Sequence, residues 1–379
     1  MSKHEKLNKS ERKPDERVEQ SNVVAPPNLE DLPTSERMSV LLNSPATLNK
    51  IREFPEKNRE KVVGEIIEYL ILFPETTDLE AYLDELQTIS KLEENPRGDL
   101  EFEGKKIQFI ISQVKEKLGL EESDTTADEK IYQYLAQKFY KEGYYFHAFN
   151  GSFEESVREN GLDLDKRDWD WEKLERIREI CTPAGEPRIL GWGDLNCKGK
   201  ISITDETDFV YRYGVASPEW FAQFTSEGLH MPNREPYDKK AFYKRDYNAA
   251  KNNILLLCEK LMASSEEDIK NRKAHPNITA AEKIEMLNFF EEHWKLFANE
   301  KSSPKCALIK RAALQKDTPP YATYEEYARN PFAKDPTLQK AVGFLFSSFN
   351  HDKQHTENIS PKDISIVDLP EYTEVHPSS

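Results

Sequence analysis

The sequence predicts an α+β protein, and three observations carry that assignment. An aromatic run, Tyr144-Tyr145-Phe146-His147-Ala148-Phe149, leads at once into a polar turn and a segment with helix-start signals. Apolar residues recur at helical spacing over about 35–126 and again over about 250–300. Short apolar runs at Cys306–Ile309 and Val342–Ser347, and a closing stretch at Ile364–Asp368, supply further strands. With 379 residues, the chain can bury one large core or two ordinary ones.

Residues 1–35 are dominated by Lys, Glu, Asp, Ser, Asn and Pro, too little apolar surface to offset the entropy of ordering, and are read as a disordered tail. A small helical domain over 36–126 follows, with breaks at Pro45, Pro55, Pro74 and Pro96. Val62, Val63, Ile66, Ile67, Leu70 and Leu72 form one apolar face, and Leu79, Tyr82, Leu83 and Leu86 another. The polar linker at 121–126 marks its end.

A helix over about Asp128–Lys141 then feeds the aromatic strand. Ser152 and Glu155 have capping-box spacing, opening a short helix that Gly161 can stop. His147 is placed near the strand's end, just before that helix, where free N–H groups favour an anionic or ribose-bearing ligand. The competing reading is an ordinary corner with a structural histidine. A helix beginning at Asp168 carries Leu174 and Ile177, and Trp169 and Trp171 either line a pocket or cover a core edge. Lys200–Thr204 alternates as a strand; Thr204 or Asp205 caps a helix with Phe209, Val210 and Tyr213 inward, ended by Gly214.

Helices over about Asn252–Ala263 and Ala280–Asn299, the latter with Thr279 and Glu282 as a capping box, form an insertion over about 217–300. Cys306–Ile309 and Val342–Ser347 read as buried strands. At the close, Ile359 edges a strand, Ser360-Pro361 opens one helical turn, and Ile364 begins a final strand.

The net charge of −16, from 69 acidic and 53 basic residues, argues against nucleic acid or acidic membranes as non-specific partners. No apolar run approaches the roughly 20 residues of a membrane span, and the N-terminus does not resemble a signal peptide, so a cytoplasmic protein is expected. Cys181, Cys197, Cys258 and Cys306 lack metal-site spacing and are read as free thiols. His275 and His293 are read as ordinary residues, and His351 with His355 as a weak metal pair without a third ligand.

The order of aromatic strand, His147, polar turn, short helix and Gly161-Leu162 resembles the first sequence block of the ADP-ribosyltransferase fold. Lys200–Gly214 is similar to the second block and Ile359–Asp368 to the third. The resemblance implies a split β-sheet core over 127–379. His147 then grips a ribose of NAD, the co-substrate, and Tyr213 stacks on nicotinamide, with Tyr211 the competing choice. Ala148 replaces the family's usual glycine, leaving less room for a nucleotide against the backbone. Ser202 stands where the histidine-first class has tyrosine, closer to the serine-bearing class, and Thr204 belongs to the same pocket. The catalytic acid falls among Asp352, Gln354 and Glu357, of which Glu357 is the only glutamate.

The implied function is mono-ADP-ribosylation of a protein acceptor, in the chain's own cytoplasm or, as an exported toxin or effector, in a host cytosol. The helical domain would take a regulatory or targeting partner. Three alternatives stand beside it: a nucleotide-binding pseudoenzyme, a non-enzymatic interaction protein, and a binder of phosphorylated RNA ends. The last has only Arg158, Arg188 and Arg212 near the blocks.

Overall fold

The computed structural model describes residues 28–90, 98–164, 171–181, 199–204, 207, 210, 221, 224, 241, 245–263, 265–270, 277–297, 303–314, 337–347 and 353–370. The N-terminal helices are α1 (Thr34–Leu42), α2 (Pro45–Glu53), α3 (Glu56–Leu72), α4 (Glu80–Ser90) and α5 (Gly98–Leu118). Proline sets the starts of α1, α2 and α3. Pro45 occupies the first turn of α2, where a missing N–H costs nothing, and Ser44 caps that helix by accepting from the Thr47 N–H at 3.1 Å. Pro55 stands immediately before α3. The apolar faces predicted for α3 and α4 are buried, from Val62 to Leu72 and from Leu79 to Leu86.

Between α3 and α5 lies a charged cluster. Lys106, 9% exposed, meets Glu65 at 3.0 Å, Glu103 at 3.2 Å and Glu68 at 3.8 Å, and Glu65 is only 1% exposed. A carboxylate taken out of water needs such a partner, so Lys106 holds α5 on α3 electrostatically as well as by packing.

After the turn at 121–126 come α6 (Ala127–Ala136) with a π-turn at Gln137–Lys141, then α7 (Glu154–Asn160) and α8 (Trp171–Cys181). The insertion contains α9 (Tyr247–Met262), α10 (Glu266–Lys270) and α11 (Ala280–Phe297). The capping box of α11 forms as expected: Glu282 N–H donates to Thr279 Oγ1 at 3.2 Å, and Thr279 N–H to the Glu282 carboxylate at 2.9 Å. Leu174, Ile177 and Ile180 of α8 join Ile254, Leu257, Met286, Phe289 and Phe290 in one core, so α8 belongs with the insertion.

Among the described residues, strands form two antiparallel sheets. One has the order β1 (Tyr144–Asn150), β3 (Pro304–Lys310), β5 (Ile364–Asp368); the other pairs β2 (Ile201–Ile203) with β4 (Lys353–His355). Strand alternation sorts the larger sheet's side chains. Phe146, Cys306, Leu308 and Val367 pack with the N-terminal helices, whereas Tyr145, Phe149, Ala307, Ile309 and Ile366 pack with Ile201, Ile203, Val157 and Ile359. The outer edge of β5 is met by α1, where Ser39 Oγ accepts from the Asp368 N–H and Asn43 donates to the Asp368 carbonyl, each at 2.9 Å.

The apolar run at Val342–Ser347 is helical, not a strand: α12 (Arg311–Leu314) follows β3, and α13 spans Gln339–Ser347. A short apolar run carries no period of its own, and tertiary contacts made the choice. Asp128 of α6 accepts from the N–H groups of Lys340 at 3.0 Å and Ala341 at 2.9 Å, capping α13 from a distant part of the chain. Ala341, Val342 and Leu345 then pack against Ile131 and Leu135, in a core that also contains Ile107 and Val114 of α5. Packing therefore crosses the sequence boundary expected near residue 126.

Candidate functional site

His147 lies in the middle of β1, not near its end, because β3 pairs with the strand as far as Asn150, opposite Pro304. The helix start also differs from expectation. Asn150, 1% exposed, accepts from the Ser152 N–H at 3.0 Å and from its hydroxyl at 2.6 Å, so Asn150 caps a 3-10 turn at Gly151–Phe153 that precedes α7. Ser152 is thereby a donor to the cap and not the cap of a box with Glu155. An asparagine in extended conformation does this as well as a serine.

The two sheets join beside His147. Phe146 and Thr204 exchange both backbone hydrogen bonds, at 2.7 and 3.0 Å. Thr204 thus prolongs β2 onto the edge of β1; the helix expected after it lies largely outside the described residues. The His147 Nδ1–H donates to the Ser202 carbonyl at 2.7 Å. A carbonyl can only accept, so the proton of this bond is on Nδ1. The ring lies 6.4 Å from that of Phe149 with planes 19° apart, in an offset stack on the β2 side of the sheet.

Ala148 points the other way. Its side chain packs against the core that the N-terminal helices share with the sheet, on the face opposite His147. Alternation along a strand places neighbours on opposite faces.

Across the smaller sheet Ser202 pairs with Gln354, and Ile201 with His355. Glu357 follows, exposed, just beyond the end of β4. The next residues are anchored to the exit of α7: Leu162 and Ile359 exchange two backbone bonds of 3.0 Å, and Asn358 bonds to Leu164 and Asp163. β1 with His147, β2 with Ser202, and the segment of Glu357 are therefore one contiguous piece of structure. Tyr211, Tyr213, Asp352, Trp169, His275, His351, Cys197, Arg188 and Arg212 lie outside the described residues.

Charge near the site is paired. Arg158 of α7 contacts Glu154 at 2.7 Å, and Lys305 of β3 contacts Glu154 at 3.0 Å and Asp368 at 2.5 Å. Burial pushes the Glu154 carboxyl up, but Lys305 and Arg158 outweigh it and hold it below the usual range. Cys306, opposite Ala148, is fully buried, which pushes its thiol up and away from nucleophilic use. Cys181 and Cys258 are also buried thiols. His293 donates from Nδ1 to the Phe289 carbonyl at 2.9 Å, a helical back-bond. Among the described residues no group of three or more His, Cys, Asp or Glu side chains is arranged to hold a metal ion. Nor is any described helix long and apolar enough to cross a membrane.

Sequence reasoning missed Asn150 and Asn358. Both sit in polar stretches where an asparagine signals a loop and nothing about its partner. Comparison of the chain with protein-family models, curated proteins and solved structures gave no match.

Proposed function

We propose that the protein is an NAD-dependent mono-ADP-ribosyltransferase acting on a protein target, on a core of the ADP-ribosyltransferase type. The observation supporting this most strongly is the junction itself: the His147 imidazole bonded to the Ser202 carbonyl, with the strand paired to Ser202 running directly into Glu357. Three segments far apart in sequence, singled out by their resemblance to the family's blocks, adjoin one another.

In this reading His147 Nε2 accepts from a ribose hydroxyl of NAD, its ring held through Nδ1 by Ser202. The Glu357 carboxylate faces the second ribose. As the bond from C1′ to the nicotinamide nitrogen breaks, nicotinamide leaves with the electron pair and positive charge grows on the ribose, which the carboxylate stabilises. An acceptor side chain attacks C1′ and gives up its proton. Tyr213 supplies the aromatic wall for the departing pyridinium ring.

The test is NAD hydrolysis and acceptor labelling by the full chain and single variants. Glu357→Gln removes the negative charge and is expected to lower kcat by about 100-fold or more. His147→Ala removes one ribose hydrogen bond and raises KM for NAD about tenfold. Turnover unchanged in both variants, or absent from the unmodified chain, overturns the reading. NAD binding without turnover would favour the pseudoenzyme instead.

A further inference from the structure

We infer that Asn358 is a positioning residue that fixes Glu357 relative to His147, an inference resting on the role given to Glu357 above. Glu357 is exposed, and an exposed glutamate has no packing to aim it. Its neighbour supplies the constraint. Asn358 Oδ1 accepts from the Leu164 N–H at 2.9 Å, and Asn358 Nδ2 donates to Asp163 Oδ1 at 3.1 Å. An N–H can only donate and a carboxylate only accept, so the amide has a single satisfactory orientation.

The anchored partner is rigid for its own reasons. Asp163 and Leu164 continue the exit of α7, whose entry is fixed to β1 by Asn150. Gly161 has φ +74°, and a Cβ there would lie 1.9 Å from the Ile359 carbonyl oxygen and 2.9 Å from the Pro361 nitrogen. Glycine thus lets the two backbones close to the paired Leu162–Ile359 contact, two residues beyond Glu357. Backbone pair and side-chain clamp together tie Glu357 through α7 to the strand that carries His147. The backbone bridge acts at residue 359; the amide clamp adds a restraint one residue closer to Glu357.

The experiment compares Asn358→Ala, Asn358→Asp and the exchange Asn358→Asp with Asp163→Asn in the full chain, by NAD turnover and amide hydrogen exchange. Misplacing a reacting group by about 1 Å costs on the order of 100-fold, so Asn358→Ala should lower kcat about 100-fold while KM for NAD stays within about twofold. Asn358→Asp sets a second carboxylate against that of Asp163 in place of a donor, so it should lose kcat as Asn358→Ala does. The exchange variant restores one donor and one acceptor and should recover kcat to within about threefold. Independently of turnover, the Leu164 amide should lose protection in Asn358→Ala. A kcat within about threefold of normal in Asn358→Ala, equal losses in kcat and affinity, or no rescue by the exchange overturns the inference while leaving the transferase reading intact. An unmodified protein without NAD turnover removes that reading and this role together, and exchange at Leu164 then decides whether the clamp exists as structure alone.

Discussion

At the scale of single residues, the site depends on which atom can donate and which can only accept. The Nδ1 proton of His147 follows from one carbonyl, and the seat of Asn150 from one N–H and one hydroxyl. Gly161 is the residue whose replacement has the plainest structural cost. Gly161→Ala must hold a left-handed backbone and push the Ile359 carbonyl away, so it should destabilise the protein by at least about 2 kcal/mol, read as a lower urea midpoint. Ala148→Gly should act through the helical core and not through the site. Its methyl lies on the far side of β1, so it should cost about 1 kcal/mol of stability with KM for NAD unchanged.

At the scale of elements, helix α5 is held to α3 by a largely buried charge cluster as well as by apolar packing. Lys106→Met removes the cation that Glu65, Glu68 and Glu103 share, leaving Lys61 at 3.6 Å from Glu103. Breaking a buried pair in this way costs about 3–5 kcal/mol, to be measured by chemical denaturation. The same cluster predicts acid sensitivity. Burial pushes the Glu103 carboxyl up, yet Lys106 and Lys61 outweigh it, so its folded pKa lies below the ordinary value. A depressed carboxylate contributes stability present above its unfolded pKa, about 4.3, and lost as pH falls through its folded value. The melting temperature should therefore decline below about pH 4, and less steeply in Glu103→Gln.

At the scale of the whole molecule, the N-terminal helices and the β1–β3–β5 sheet share a core. Phe146, Leu308, Val367 and Leu369 pack with Met38, Leu42 and Ile67, and α1 covers the edge of β5. Exposing those four sheet-side residues forfeits roughly 2 kcal/mol each, about 8 kcal/mol against a usual net stability of about 5–15 kcal/mol. A fragment of residues 127–379 should accordingly fail to fold, shown by loss of near-ultraviolet circular dichroism and rapid proteolysis. A fragment that folds and unfolds cooperatively would show that the helices are a separable unit.

Much of this was legible in the residues themselves. Helical spacing marked α3, α4, α9 and α11, the Thr279 and Glu282 pair marked a helix start, and Ser360-Pro361 before Ile364 marked the last turn and strand. These are signals of local period and local hydrogen bonding, which a chain carries wherever it folds. His147, Ser202 and Glu357 were singled out by the resemblance of their segments to the three family blocks. Their neighbourhood, the far-facing methyl of Ala148, the clamp at Asn358 and the helical state of Gln339–Ser347 depended on partners many residues away. A strand has two faces and an apolar run two conformations, and the residues alone leave each pair open. Only burial and hydrogen bonding against the rest of the fold separate them, because those energies exist only once distant segments meet.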